Sequence, residues 1–140
     1  MNQHTYLRAY MAGIVLPTIL LIGVATAFCI ARYVYNIPVP VERVIVFPMA
    51  VVPNLWGLWN MLFIGSHART HLSIGLHGAV LPLLLGPLGF LLTRILDFPL
   101  PHGELARILP ILAPIALIAY YLVWKYIVGF LNGVLGIAQT

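Results

Sequence analysis

Charge is scarce in this sequence. Its 140 residues hold only seven Lys and Arg and three Asp and Glu, 7% in all, against about 25% in soluble globular domains. So few charges cannot clothe a soluble surface. The three carboxylates, Glu42, Asp97 and Glu104, all fall outside the apolar runs, so paired-acid hydrolysis and proton coupling through buried carboxylates are not expected. Cysteine is scarcer still. A single Cys29 excludes an intrachain disulfide. There is also no HExxH, no phosphate loop and no nucleophile–base–carboxylate set, and the expectation is a protein that is not an enzyme. The net charge of +4 is dispersed along the chain, which fits interfacial anchoring better than nucleic-acid binding.

Apolar residues are what the chain has in quantity, 62% of it. A hydrocarbon layer about 30 Å thick takes about 20 apolar residues per helix. Four runs are that long: Tyr10 to Ile30, Val44 to Ile64, Ile74 to Ile95 and Ile108 to about Val128. The expected fold is therefore an all-α integral membrane protein of four transmembrane helices in one domain, residues 1–140, with residues 130–140 as an apolar interfacial tail. Arg8, the first apolar run and Ala25-Thr26-Ala27 imitate a signal peptide, but the run is long enough to span and is read as a retained helix.

The landmarks recur in order. Ala12 to Pro17, AGIVLP, aligns with His77 to Pro82, HGAVLP, and Arg32 with Arg94. The Pro38-Val-Pro40 loop then aligns with Pro99-Leu-Pro101, and Trp59 to Gly65 with Trp124 to Gly129. This pattern predicts two tandem helical hairpins, a parallel 2+2 internal repeat over about 9–65 and 74–129, related by an axis along the membrane normal. The Pro-x-Pro segments cannot continue a helix and are placed in tight loops. Glu42 with Arg43, and Glu104 with Arg107, are read as solvated interfacial charges, with pairing to Arg32 or Arg94 as the alternative.

Orientation follows from Lys and Arg alone. Arg32, Arg43, Arg94 and Arg107 lie on the loop side, and Arg8, Arg69 and Lys125 on the side of the termini. Four against three leans toward termini outside, in a bacterial inner membrane.

Two amides stand out in PNLWGLWN, Pro53 to Asn60, because the surrounding run carries no charge. At 100° per residue, Trp56, Asn60, Phe63 and His67 form one stripe, while Asn54 points roughly 120° away from Asn60. Asn54 is thus expected to be structural, bonding a neighbouring helix or a backbone carbonyl. Trp56, Trp59, Asn60, His77 and Lys125 are the candidate ligand-binding set, a polar chamber open to the side of the termini if Lys125 faces inward. The other placement of Lys125 is at the headgroups, among Tyr120, Tyr121, Trp124 and Tyr126. His67 and His71 are expected in the turn between helices. With His77 they form an alternative metal or haem set, although no cofactor is predicted. Gly78 beside His77 permits close approach of a flat ligand or a helix.

These features lead to three functional expectations. One is a homo-oligomeric permease or channel-like protein for a small solute, ion or amphiphile, suggested by the repeat and by proline in every run. A second is an accessory, non-catalytic subunit of a larger membrane complex. The third is haem, metal or quinone binding through His77 and His67 or His71. Expected partners are the lipid bilayer and either further copies or other membrane subunits.

Overall fold

The computed structural model describes residues 3–39, 41–45, 49–95 and 102–137. All of its regular elements there are helical: α1 (Gln3–Tyr33), a short α2 (Val41–Val44), α3 (Ala50–Thr70), α4 (Ile74–Ile95) and α5 (His102–Leu122). A π-helical turn, Val123–Val128, then leads into α6 (Gly129–Val134). Three stretches are long and apolar enough to cross a membrane: His4–Tyr33, Ile74–Leu92 and Arg107–Val134. In hydrocarbon every backbone polar group must be satisfied within its own segment, and a continuous helix does this.

The run expected from Val44 to Ile64 is helical from Ala50 onward, but α3 is not among the three apolar stretches. Its composition explains why. Asn54, Asn60, Ser66 and His67 interrupt its apolar residues, and the helix extends to Thr70, beyond the end of the expected run. Pro53 falls in the first turn of α3, near the end whose N–H groups have few intrahelical partners, so the helix tolerates it.

Helix α1 packs chiefly along α3, and α4 along α5 and the π-turn; α6 folds back to α1. The α1–α3 contact is close because both helices present glycine. Gly13 lies directly on the backbone of Trp56 and Gly57, and Gly57 faces the ring of Tyr10. In the second pair Gly75 faces Tyr121 and Gly78 carries Trp124. The core that results contains Trp56, Phe63, Ile74, Leu81, Trp124 and Val128.

After α1, Asn36 takes a left-handed conformation, φ 53°, and the Ile37 N–H returns to the Ala31 carbonyl at 3.0 Å. Asparagine is one of the few residues that enter this region readily. Glu42 is not simply solvated: the Arg32 guanidinium meets both its oxygens, at 2.8 and 2.9 Å, and also the Val39 carbonyl at 3.3 Å. With both partners exposed, this pair contributes at most about 1 kcal/mol and serves mainly to fold the loop back on α1. Pro40, Pro48, Asp97 and the Pro99-Leu-Pro101 loop lie outside the described residues.

Candidate functional site

On α3 the predicted stripe turns inward. Asn60 is wholly buried, Trp56 and Phe63 are 5% and 3% exposed, and His67 is half-buried. Residues at this spacing share a helix face, and the face is directed at α4 and the π-turn.

Asn60 is bonded on all sides. Its Nδ2 donates to the Ala9 carbonyl at 2.7 Å and to Asn132 Oδ1 at 2.8 Å, and Asn132 Nδ2 donates back to Asn60 Oδ1 at 3.2 Å. Asn132 is also wholly buried. Part of the segment expected as an apolar tail is thus helical, α6 over Gly129–Val134, and carries an amide into the interior. Sequence reasoning missed Asn132. The available signal was a lone amide within Phe130–Leu135, the same oddity that drew notice to Asn54 and Asn60.

The π-turn is what brings Asn132 to its partner. Trp124, Val128 and Asn132 are each fully buried, at successive four-residue intervals. In an uninterrupted α-helix residues eight apart diverge by about 80°. The wider i→i+5 turn over Val123–Val128 removes that divergence, so one side of the helix faces inward throughout.

Trp59 and His77 hold α3 against α4 reciprocally. Trp59 Nε1 donates to the His77 carbonyl at 2.9 Å, and His77 Nε2 lies 3.1 Å from the Trp59 carbonyl. Their rings stack with centroids 4.7 Å apart. A carbonyl oxygen only accepts, so Nε2 carries the proton and Nδ1 is the nitrogen with a lone pair. Around this pair stand Phe63, 5.3 Å from His77, and Trp124, 6.2 Å from it. Trp124 also packs 5.5 Å from Trp56, whose other side meets Tyr120 at 5.2 Å. Gly78, read from sequence as a point of close approach, is where the Trp124 side chain sits.

The other candidates are placed differently. Lys125 is exposed, its ammonium 5.7 Å from the Tyr121 ring and 5.3 Å from that of Tyr126. The interior of one chain thus unites Trp56, Trp59, Asn60 and His77 but not Lys125. His67 belongs to the last turn of α3 rather than to the connector, and its Nδ1 lies 3.1 Å from the Leu72 carbonyl. His71 caps α3 with φ 51°, its N–H bonding the His67 carbonyl. Phe63 contacts both His67 and His77, at 5.0 and 5.3 Å. Among the described residues no three His, Cys, Asp or Glu gather as a metal-binding group.

Asn54 is exposed on the other side of α3. Its Oδ1 accepts the Tyr10 hydroxyl of α1, and its Nδ2 donates to the Ala50 carbonyl at 2.6 Å.

Chemically the inward face is an aromatic cluster around one neutral-capable imidazole, closed on one side by a pair of amides. Comparison with known protein families, curated proteins and solved structures finds no match, so the site is read from its own residues.

Proposed function

We propose that the chain is a small homo-oligomeric permease or channel-like protein for a small solute, ion or amphiphile, with the route lying between copies. The observation that carries this reading is the closure of a single copy. Asn60 and Asn132 bond one another, Trp59 and His77 do the same, and Trp124, Val128 and Phe63 occupy the space between. Among the described residues the buried side-chain polar atoms without a partner are the indole nitrogens of Trp56 and Trp124, too few to line a route for a polar solute. The spans in contrast turn most of their side chains outward, toward lipid or further copies, among them Ile19 and Ile22 on α1. Pro17, Pro82, Pro87, Pro110 and Pro114 also lie inside these helices, each removing a backbone donor from its helix.

Reconstitution tests this reading. Vesicles containing graded densities of the protein and a panel of trapped ions, osmolytes and amphiphilic dyes should show flux that rises more steeply than protein density. Flux equal to that of empty vesicles for the whole panel, at densities where the protein is oligomeric, would overturn it.

One observation favours a second reading, a non-catalytic accessory subunit. Lys125 stands outside between Tyr121 and Tyr126, as a headgroup anchor does, which leaves the interior without a cation. Co-purification with a fixed set of other membrane proteins would support that alternative. Binding of haem, a metal or a quinone through His77 and His67 or His71 would engage His77 at Nδ1.

The proposal includes α3 as a fourth span. Gly13, well inside the His4–Tyr33 stretch, lies on Trp56 and Gly57, so α3 accompanies α1 through the same layer. It also includes the tandem 2+2 repeat. Aligned glycines, Gly13 and Gly78, mark the close contact of each helical pair, and a Tyr–Gly contact accompanies each, Tyr10 with Gly57 and Tyr121 with Gly75. Four spans put both termini on one side, and the reading takes that side as the outside of a bacterial inner membrane, leaning on four Lys and Arg against three.

A further inference from the structure

Asn54 stands in an outward row on α3 with Ala50, Leu58 and Leu62, at four-residue spacing and all exposed. An amide offers two N–H donors and an oxygen with two lone pairs. Tyr10 takes one lone pair and the Ala50 carbonyl one N–H, so one donor and one lone pair of the exposed Asn54 remain.

Depth makes this consequential. Contacts of Tyr6 with Gly65 and of Gly13 with Gly57 show that α3 runs antiparallel to α1. Asn54, three residues before Gly57 and so about 4.5 Å along the axis, is level with the part of α1 that follows Gly13. That part lies within the long apolar stretch His4–Tyr33. Lipid tails there provide no hydrogen-bond partner, and an exposed amide in hydrocarbon calls for protein.

We propose that this row is the interface between two copies of the chain, with the two Asn54 amides donating to and accepting from each other across a two-fold axis. The inference rests on the homo-oligomeric reading above and gives it a surface. A second copy is the fitting occupant because an amide is complementary to itself: a two-fold axis sets donor against acceptor twice. The same pairing already operates within one chain between Asn60 and Asn132, at 2.8 and 3.2 Å. Ala50, one turn away, lets the helices approach closely, and Leu58 and Leu62 on the other side of Asn54 supply the apolar contact.

Cysteine cross-linking of the full chain in its native membrane is the test, in a Cys29→Ser background. Under oxidation Leu58→Cys should give a band of twice the monomer mass, whereas Ile118→Cys, on the exposed face of α5, should remain monomeric. Adding Asn54→Leu should lower the Leu58→Cys dimer by about threefold to tenfold, the range expected for one intramembrane amide interaction. Adding Tyr10→Phe, which removes only the bond within the chain, should leave the dimer intact and serves as the folding control. The inference is overturned if Leu58→Cys stays monomeric, if it joins a protein of another mass, if Ile118→Cys dimerises equally, or if Asn54→Leu has no effect. Because cross-linking does not depend on flux, loss of the dimer with flux retained defeats only this interface, and loss of flux with the dimer retained defeats only the transport reading.

Discussion

Asn60 and Asn132 are the residues whose removal should be felt most. Each is wholly buried, and each leaves the other without its partner when truncated. Asn60→Leu or Asn132→Leu alone should lower stability by about 1–3 kcal/mol, read as equilibrium unfolding in mixed micelles. The double variant should lose less than the sum of the two, because no orphaned amide remains. Equal and additive losses would mean that the pair does not act as a unit. Glycines divide in the same way. A Cβ at Gly13 would stand 2.6 Å from the Trp56 carbonyl oxygen, and backbone cannot move aside as a side-chain tip can; at Gly23 it would meet nothing within 4 Å. Gly13→Ala should therefore destabilise by about 1–3 kcal/mol, and Gly23→Ala should change stability by no more than about 1 kcal/mol, in the same assay. The inward stripe of Trp56, Asn60 and Phe63 was legible in the sequence because a 3.6-residue period is local. Asn132 was not, since its partner is 72 positions away and nothing nearby announces the pairing.

At the level of elements, the three apolar stretches were visible as unbroken hydrophobic length. Helix α3 was harder to read: its amides and histidine lower its apolarity while its helical period survives. The π-turn left no trace in the sequence, because Val123-Trp124-Lys125-Tyr126-Ile127-Val128 contains no breaker and the turn is imposed by what packs at either end. Trp124 is held on Gly78 and Asn132 on Asn60, and the turn reconciles the two. Deleting the exposed Tyr126 should let an ordinary α-helix bring both residues to the same face, since seven residues return within about 20° of the starting direction. That deletion should keep most of the yield and helical content, measured by size-exclusion and circular dichroism. Deleting Ile118 instead, upstream of the Trp124 seat, rotates the rest of the chain by about 100° and should abolish folded protein. Comparable behaviour of the two deletions would show that the π-turn is incidental.

For the whole molecule the decisive quantity is the number of crossings. Reporter fusions at the two ends should fall on the same side of the membrane if α3 crosses with the other three, and on opposite sides if it does not. The partners of the buried amide lock come from widely separated parts of the chain: Ala9 in the first apolar stretch, Asn60 in α3 and Asn132 near the end of the last apolar stretch. A ribosome delivers them in that order. If α3 crosses with the other three, Asn60 enters the bilayer well before Asn132 is made, and the nascent chain carries an incompletely paired amide until then. Closure of the lock consequently waits on the synthesis of Asn132, and a chain interrupted shortly before it would present a membrane quality-control protease with a polar mark that the closed lock conceals.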